Sequence, residues 1–418
     1  MPFTFLAVSV VGALFTLNGL RPIRWKYVAL PSFSAAWLTT ELAAHHLLWQ
    51  LVATVVFVAL GALRDWPGVL ALAITVASWC GVAVLVKRSL EAGEVVEQAL
   101  RDGLGPDYMA RIAPELAARY DRSLPWRRLM VPFRMGLPEV ERVKDVRYAE
   151  GAGRRHLLDV YRHRDRPTGC PVLLQVHGGG WVIGEKRQQA VPLMQHLAAR
   201  GWVCVAANYR LSPRATFPDH LVDLKRARAW VRSHVAEYGG DPDFVVVTGG
   251  SAGGHLSSLL ALTANDPEYQ PGFEDVDTAV QACVPYYGVY DLVGEVGHPI
   301  TNETIKFLER TVLKTSRREH PEAFEKASPI CRVHNGAPPF LVIHGRDDTL
   351  APVEAARVFV ERLRARTAGP FVYAELPGAG HAFDVFPSIR TAHVIRGVER
   401  FLDYVYSTHL ARVKAEVT

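Results

Sequence analysis

The sequence is poor in cysteine, with five in 418 residues, and none of them forms a C-x-x-C pair. This pattern disfavours zinc-binding and dithiol redox functions and fits a reducing compartment. Long basic runs are also absent and the formal net charge is only +5, so nucleic acid is not expected as a partner. Residues 1–5 contain no lysine or arginine, which predicts an anchor and not a cleaved signal peptide.

Charge is missing from three long apolar runs near the amino terminus, at residues 3–20, 47–63 and 68–86. Each is about the length needed to cross the hydrocarbon core of a bilayer. Although any single run fits a buried core helix, their close succession predicts a transmembrane region, residues 1–88, with about three spans. Residues 29–46 are half apolar and fit an interfacial helix, a re-entrant helix or an additional crossing.

Positive charge is distributed asymmetrically around these runs. Basic residues follow the first and the third run, namely Arg21, Arg24 and Lys26, and Lys87 and Arg88. With three spans, both groups lie on the side that the positive-inside rule assigns to the cytoplasm. We therefore expect an integral membrane protein whose remaining chain faces the cytoplasm at a bacterial inner membrane. An additional crossing between the first two runs would invert the amino terminus or this remaining part.

A charged, helix-prone segment at residues 89–138 follows the apolar region. In its last part, from Arg122 to Arg134, arginines alternate with large apolar residues. This alternation is typical of a segment lying on an anionic membrane surface, with membrane lipid as a partner. It equally fits a linker packed on the domain that follows, and the two interpretations stay open.

Short β-rich runs alternate with helical ones over residues 139–418. Seven runs are predicted as strands, at 157–163, 171–179, 202–210, 244–250, 278–288, 339–345 and 371–378. Nearly continuous apolar strands between helices indicate an α/β domain with a mostly parallel sheet that is covered on both faces. Residues 291–334 lack strand-like runs, which predicts a helical cap over the carboxyl edge of the sheet.

One serine stands among four glycines directly after the strand predicted at 244–250. Gly249, Ser251 and Gly253 fit G-x-S-x-G, a motif that holds a serine on a strained turn between a strand and a helix. The simpler interpretation is a glycine-rich turn with serine as a helix cap. A catalytic serine would need a base, an acid and an oxyanion hole from elsewhere in the chain.

Three consecutive glycines follow another predicted strand, within the segment HGGGW at His177–Trp181. Glycines at a strand end expose backbone N–H groups that nothing local satisfies, which suits an oxyanion on a tetrahedral intermediate. H-G-G-G and G-x-S-x-G on adjacent strands of a parallel sheet are the arrangement of serine esterases. The pair of motifs therefore favours the catalytic interpretation of Ser251.

With these motifs the chain resembles the α/β-hydrolase family. Within that family it resembles the H-G-G-G esterases and lipases that are related to hormone-sensitive lipase, and in particular it looks like the membrane-anchored actinobacterial carboxylesterases. The resemblance covers about residues 140–406 and rests on HGGGW, GGSAGGH, HGRDDTLAP and GAGHAFD in the family's order. Gly250 stands before the serine, where these esterases usually have aspartate. Because of this glycine and Trp181, the chain also resembles the H-G-G-x-W formamidases. The resemblance implies a carboxylesterase or lipase, with a formamidase or amidase as the alternative.

Two adjacent aspartates, Asp347 and Asp348, follow the strand predicted at 339–345. Neighbouring loop residues do not both face one imidazole, so one of them is expected to be a turn or capping residue. The family pattern H-G-x-x-D-x-x-V-P falls on His344, Asp348 and Pro352, with alanine in place of the valine. The resemblance therefore implies that Asp348 is the acid.

Among sixteen histidines, His381 lies in a glycine-rich loop directly after the last predicted strand. Ser251, Asp348 and His381 follow the chain order of serine, acid and base in this fold. His177 comes too early in the chain for the base, and His344 is interpreted as a structural hydrogen-bonding residue. His381 is therefore the expected general base.

These assignments predict a serine hydrolase that acts through an acyl-enzyme and needs neither a metal nor an organic cofactor. The predicted site comprises the triad Ser251, Asp348 and His381, and an oxyanion hole made by the N–H groups of Gly179, Gly180 and Ala252. The expected substrates are acyl esters, among them membrane lipids. A third interpretation is an inactive hydrolase fold that serves as a membrane-tethered binding module. The sequence indicates no oligomeric state.

Overall fold

The computed structural model describes residues 1–25, 27–121, 123–367 and 369–417, so Lys26 and Arg122 lie outside the described residues. The described helices are α1 (Pro2–Leu20), α2 (Ala29–Glu41), α3 (Ala43–Ala59), α4 (Trp66–Leu104), α5 (Pro114–Ala117), α6 (Trp126–Leu129), α7 (Val191–Ala199), α8 (Asp219–His234), α9 (Ala252–Leu262), α10 (Pro299–Thr311), α11 (Pro321–Ala327), α12 (Pro329–Arg332), α13 (Val353–Arg366) and α14 (Ile389–Val417). The described strands are β1 (Val140–Arg147), β2 (Leu157–His163), β3 (Cys170–Val176), β4 (Val203–Ala207), β5 (Gly240–Gly250), β6 (Ala282–Tyr286), β7 (Phe340–Gly345) and β8 (Phe371–Leu376).

Within the described ranges, the strands form one sheet in the order β1-β2-β4-β3-β5-β6-β7-β8. The pairs β1–β2 and β2–β4 are antiparallel, and all the other pairs are parallel. One face of the sheet packs against α8, α9 and α13, and the other packs against α4, α7 and α14. The predicted α/β fold with a mostly parallel, doubly covered sheet is therefore confirmed. The edge strand β1 was not predicted, because its sequence VERVKDVR is rich in charge.

The amino-terminal helices α1, α3 and α4 pack together as a bundle. Two small apolar clusters mark its ends: one joins Phe5 and Phe57 to Ala62 and Ala71, and the other joins Leu20 and Ala43 to Val82 and Leu85. Because α3 contributes its last turns to the first cluster and its first turn to the second, it runs from one end of the bundle to the other. Helices α1 and α4 are each long and apolar enough to cross a membrane, and α2 with α3 is a bent pair that would make a third span.

Helix α2 does not pass through the bundle. Its residue Ser32 is tied to the end of α1, because the Asn18 amide donates to the Ser32 carbonyl at 2.8 Å and the Ile23 N–H donates to the Ser32 hydroxyl at 2.9 Å. Its last residue, Glu41, leads into α3 at the same end of the bundle. The two helices meet at an angle of 86°. Helix α2 therefore lies across the end of the bundle that also holds Leu20.

Helix α4 joins the bundle to the sheet. It continues without a break through residues 87–104, which include the start of the segment interpreted as a linker. Its second half packs on α14 and β8, where Gly103 approaches the strand so closely that a Cβ would lie 2.3 Å from the Phe371 carbonyl oxygen. The apolar bundle and the sheet are thus connected by one helix.

The segment at 291–334 contains α10, α11 and α12 and no strand among its described residues. These helices pack on the α9 face of the sheet, where Leu308, Phe324 and Ile330 are fully buried.

The stretch at 126–134 forms the short helix α6 and a loop. It lies beside the start of α3, since the His45 ring is 3.2 Å from the Met130 carbonyl oxygen.

Candidate active site

Ser251 lies on the turn between β5 and α9 with φ 60° and ψ −122°. This conformation is sparsely populated by residues with side chains and persists only where the surroundings impose it. The Ser251 N–H donates to the Tyr286 carbonyl at 3.0 Å, which fixes the turn to the next strand. The helix behind it starts close to the sheet, because a Cβ on Gly253 would lie 2.2 Å from the Val176 carbonyl oxygen. The turn leaves the Ser251 side chain partly exposed at the carboxyl edge of the sheet.

Gly250 stands where the resembled esterases usually have aspartate, and the structure explains the departure. A Cβ on Gly250 would lie 2.6 Å from the Tyr287 hydroxyl oxygen. The Tyr287 ring is buried, its centroid lies 4.7 Å from that of His381, and its hydroxyl donates to Asp384. Tyr287 therefore fills the space that a side chain at position 250 would need.

The three residues predicted as a triad form a continuous hydrogen-bonded chain. His381 Nε2 lies 2.8 Å from Ser251 Oγ, and His381 Nδ1 lies 2.7 Å from Asp348 Oδ2. His381 is 7% exposed and Asp348 is 3% exposed, so the chain is shielded from water except near the serine. This arrangement suits proton transfer from a serine hydroxyl to an imidazole that a carboxylate orients.

The structure brings Asp348, and not Asp347, to His381. The second Asp348 oxygen accepts the N–H groups of Leu350 and Ala351, both at 2.8 Å. Burial opposes the charge, but the facing His381, the nearby His344 and the hydrogen bond from the Ala351 N–H hold the pKa of the Asp348 carboxyl below its usual value. The Asp347 carboxylate lies 3.4 Å from a guanidinium nitrogen of Arg24 and is partly exposed.

The glycine-rich loop after β3 lies beside the serine. Gly179 and Gly180 have φ 107° and φ 58°, a region that favours glycine. Within the part of the chain that the structure describes, the N–H groups of Gly179, Gly180 and Ala252 donate to no protein acceptor. Donors of this kind suit an oxyanion that develops during attack on a carbonyl.

His177, the first residue of this loop, is held by contacts within the protein and plays a structural part. Its ring stacks on Tyr209 at 4.3 Å, and its Nδ1 lies 2.8 Å from the Gly178 carbonyl oxygen. Burial lowers the pKa of His177 to about 4, so the ring is neutral near pH 7. His344 is also buried, and its Nε2 lies 2.8 Å from the Ala351 carbonyl oxygen below Asp348.

Sequence reasoning missed two residues beside His381, namely Tyr287 and Asp384. Burial raises the pKa of Asp384 to about 6, although the hydrogen bond from Tyr287 opposes this shift. Their only sequence signals are positional, because Tyr287 follows β6 at the carboxyl edge and Asp384 ends the GAGHAFD segment. Among the described residues, no group of three or more histidine, cysteine or acidic side chains is placed to hold a metal ion.

The chain is similar in sequence to several known proteins. A family model described as BD-FAE matches residues 158–363. The probable carboxylic ester hydrolase LipM of Mycobacterium tuberculosis (strain ATCC 25618 / H37Rv) is 45% identical over 418 residues, covering 97% of this chain and 94% of LipM. Esterase LipQ of the same strain is 44% identical over 333 residues, which cover 78% of each chain.

A solved structure, that of esterase B from Lactobacillus rhamnosis (HN001), matches with a TM-score of 0.54 and covers 78% of this chain and 98% of that chain. Because the two sequences are only 19% identical, this match supports the fold alone. The likeness to LipM is much stronger and extends over nearly the whole length of both proteins. The chain therefore belongs to the α/β-hydrolase family of serine carboxylic ester hydrolases.

Proposed function

We propose that the protein is a membrane-anchored carboxylesterase or lipase in which Ser251 is the nucleophile, His381 the general base and Asp348 the orienting acid. The observation that carries this proposal is the pair of hydrogen bonds at 2.8 Å and 2.7 Å that links the three side chains. Because Nε2 faces the serine and Nδ1 faces the carboxylate, Nε2 is the atom that takes the serine proton.

In the first half of the reaction, Ser251 Oγ attacks the ester carbonyl carbon while His381 Nε2 takes the hydroxyl proton. Negative charge moves to the carbonyl oxygen, where the N–H groups of Gly179, Gly180 and Ala252 stabilise it. Collapse of the tetrahedral intermediate expels the alcohol, which receives the proton from His381. Asp348 stabilises the imidazolium and keeps Nδ1 protonated.

In the second half, a water molecule attacks the acyl-enzyme while His381 again acts as the base. The carboxylic acid leaves when the proton returns to Ser251 Oγ. Apart from the attacking water, these steps need only groups that the chain itself supplies, so we propose that no metal or organic cofactor takes part.

The proposed membrane part comprises residues 1–88, and the proposed catalytic part comprises residues 139–418. The packing supports three crossings, because α3 runs between the two ends of the bundle while both ends of α2 stay at one end. The Arg88 guanidinium donates to the Leu20 carbonyl at 3.2 Å, so the basic residues after the first and third runs lie at the same end. By the positive-inside rule this end faces the cytoplasm.

The segment between the two parts has a surface that suits anionic lipid. Its residues Trp126, Met130 and Phe133 are exposed and apolar, and Arg127 and Arg134 are exposed beside them. Apolar side chains that enter the headgroup region next to guanidinium groups bind anionic leaflets. We therefore favour a contact with the inner leaflet over a purely packed linker.

Protease treatment of sealed, right-side-out cells is expected to leave the catalytic part intact. The physical reason is that a cytoplasmic domain is shielded by the bilayer until the cells are permeabilised. The measurement is an immunoblot against a carboxyl-terminal tag before and after permeabilisation. Loss of the 139–418 fragment in sealed cells would contradict the orientation.

A formamidase or amidase with the same triad is the second candidate, and HGGGW together with Gly250 favours it. Trp181, however, is buried, with its indole N–H 3.2 Å from His255 Nδ1. It thus takes part in packing behind the glycine loop. We expect kcat/KM for p-nitrophenyl acyl esters to exceed that for N-formyl and aryl-amide substrates by at least about tenfold. A ratio in favour of the amide substrates would indicate a formamidase or amidase instead.

A further inference from the structure

The amino-terminal region reaches the loops that carry the proposed acid and base. The Phe33 ring, on α2, lies nearly perpendicular to the His381 ring, with the ring centroids 6.0 Å apart. The Trp37 indole N–H donates at 2.8 Å to the carbonyl of Ala382, the residue after His381. The remaining space between α2 and the histidine loop is a cavity of only ≈ 20 Å³. Helix α2 is thus packed directly against His381.

Two basic residues place this contact at the end of the apolar bundle. Arg24 donates to the Arg346 carbonyl at 2.8 Å, next to the aspartate pair. Arg88 follows the last apolar residues of the third run, and a Cβ on Gly378 would lie 2.8 Å from its Cδ. Gly378 stands three positions before His381 in the same loop. The triad therefore lies at the level where the apolar helices give way to charge, which is the membrane interface in the proposed orientation.

The orientation of α2 fits the same interface. Because α2 and α3 meet at 86°, α2 lies along the membrane surface when α3 follows the membrane normal. Leu30 and Leu38 project from α2 into the surroundings, with 62% and 46% of their surfaces exposed. Exposed leucines on a helix that lies along the surface suit the boundary between headgroups and acyl chains.

The approach to the triad is apolar on two sides. Phe33 is half-buried, and its ring contacts that of His381. Ile183 lies in the glycine-rich loop after β3, close to Gly179, and 68% of its surface is exposed. Ile183 thus presents an apolar side chain beside the oxyanion loop.

We propose that α2 forms the membrane-side wall of the active site, and that Phe33 and Ile183 select esters with long acyl chains that enter from the bilayer interface. This inference rests on the proposed triad and orientation and names their substrate class. Phe33 and Ile183 would contact the acyl chain near the ester. The bilayer supplies the substrate already oriented, with its polar ester at the level of Ser251 and its chain on the apolar side.

The test uses the full-length protein in vesicles of phosphatidylethanolamine and phosphatidylglycerol. Hydrolysis of p-nitrophenyl palmitate within the vesicles is compared with hydrolysis of soluble p-nitrophenyl butyrate. The readout is kcat/KM for the palmitate divided by kcat/KM for the butyrate. We expect Phe33→Ala to lower this ratio by at least about tenfold through a higher KM for the palmitate, because burial of a phenylalanine contributes free energy of that order. The matched control Leu38→Ala, on the outer side of the same helix, should change this ratio by less than about twofold.

Ile183→Ser provides a second variant at an exposed position, where misfolding is not expected, and it should lower the ratio several-fold. A ratio that stays unchanged in both Phe33→Ala and Ile183→Ser would overturn the inference, whether or not total activity falls. A loss of kcat on both esters without a change in the ratio would mean that Phe33 only positions His381, and this also overturns it. Failure of the wild-type protein on both the palmitate and the butyrate would instead contradict the proposed triad.

Discussion

Replacement of Ser251 by alanine is expected to lower kcat for p-nitrophenyl butyrate by about a million-fold while the protein stays folded. Losses of this order follow removal of the serine from a serine triad, because no other group forms the acyl-enzyme. The hydroxyl is partly exposed and bonded only to His381 among its described partners, so its removal leaves no deeply buried polar group unpaired. The measurement is steady-state hydrolysis with background subtracted, together with labelling by a fluorophosphonate.

Ser257→Ala is the matched control for this substitution. Ser257 lies on the same helix, α9, and its hydroxyl donates at 3.1 Å to the Gly254 carbonyl, away from His381. We expect this variant to keep activity within a few-fold and to retain fluorophosphonate labelling at Ser251. Activity of Ser251→Ala within tenfold of the wild type would place the nucleophile elsewhere. Absence of labelling in the wild type would favour an inactive binding module.

Asp348→Asn should lower kcat by about ten-thousand-fold, because an amide in this position favours the wrong imidazole tautomer. The carboxylate accepts a hydrogen bond from the N–H on His381 Nδ1, whereas the amide nitrogen of asparagine would present a second donor to the same atom. The N–H groups of Leu350 and Ala351 still find an acceptor in the remaining carbonyl oxygen, which preserves the loop. The measurement is the ratio of kcat values for one soluble ester.

The neighbouring aspartate supplies the control. Asp347→Asn removes only a partly exposed contact with Arg24, and such contacts contribute little free energy because water and salt screen them. We expect its kcat to stay within tenfold of the wild-type value. If Asp347→Asn proved the more damaging change, the proposed acid would be misassigned.

The fold was predictable because parallel strands that are buried on both faces have to be apolar throughout. The strands β3, β4, β6 and β7 and the second half of β5 show this property as nearly continuous apolar runs, and helices separate them. The edge strand β1 escaped prediction because only one of its residues is fully buried, so its sequence carries charges. The sequence predicted helix after residue 88, but it did not show that the third apolar run and this helix are one continuous element, α4. The change from apolar to charged residues marks the end of an apolar environment and not the end of a helix.

The residue types and their order along the chain predicted the members of the candidate site. A serine between glycines, a glycine triplet after a strand, and an aspartate and a histidine after later strands are requirements of local geometry, which a sequence displays directly. The choice between Asp347 and Asp348 needed the family pattern, because the residues themselves left both open. The structure then showed that only the Asp348 side chain faces His381.

The class of the protein follows from its residue pattern, because strand burial, helix periodicity and motif spacing are local properties of the chain. The groups that surround the triad depend instead on tertiary packing. Tyr287 occupies the space beside Gly250, and Phe33 meets His381 across a separation of more than three hundred residues. Such contacts depend on how α2 and the strand ends are packed, and no local pattern of residue types records that packing.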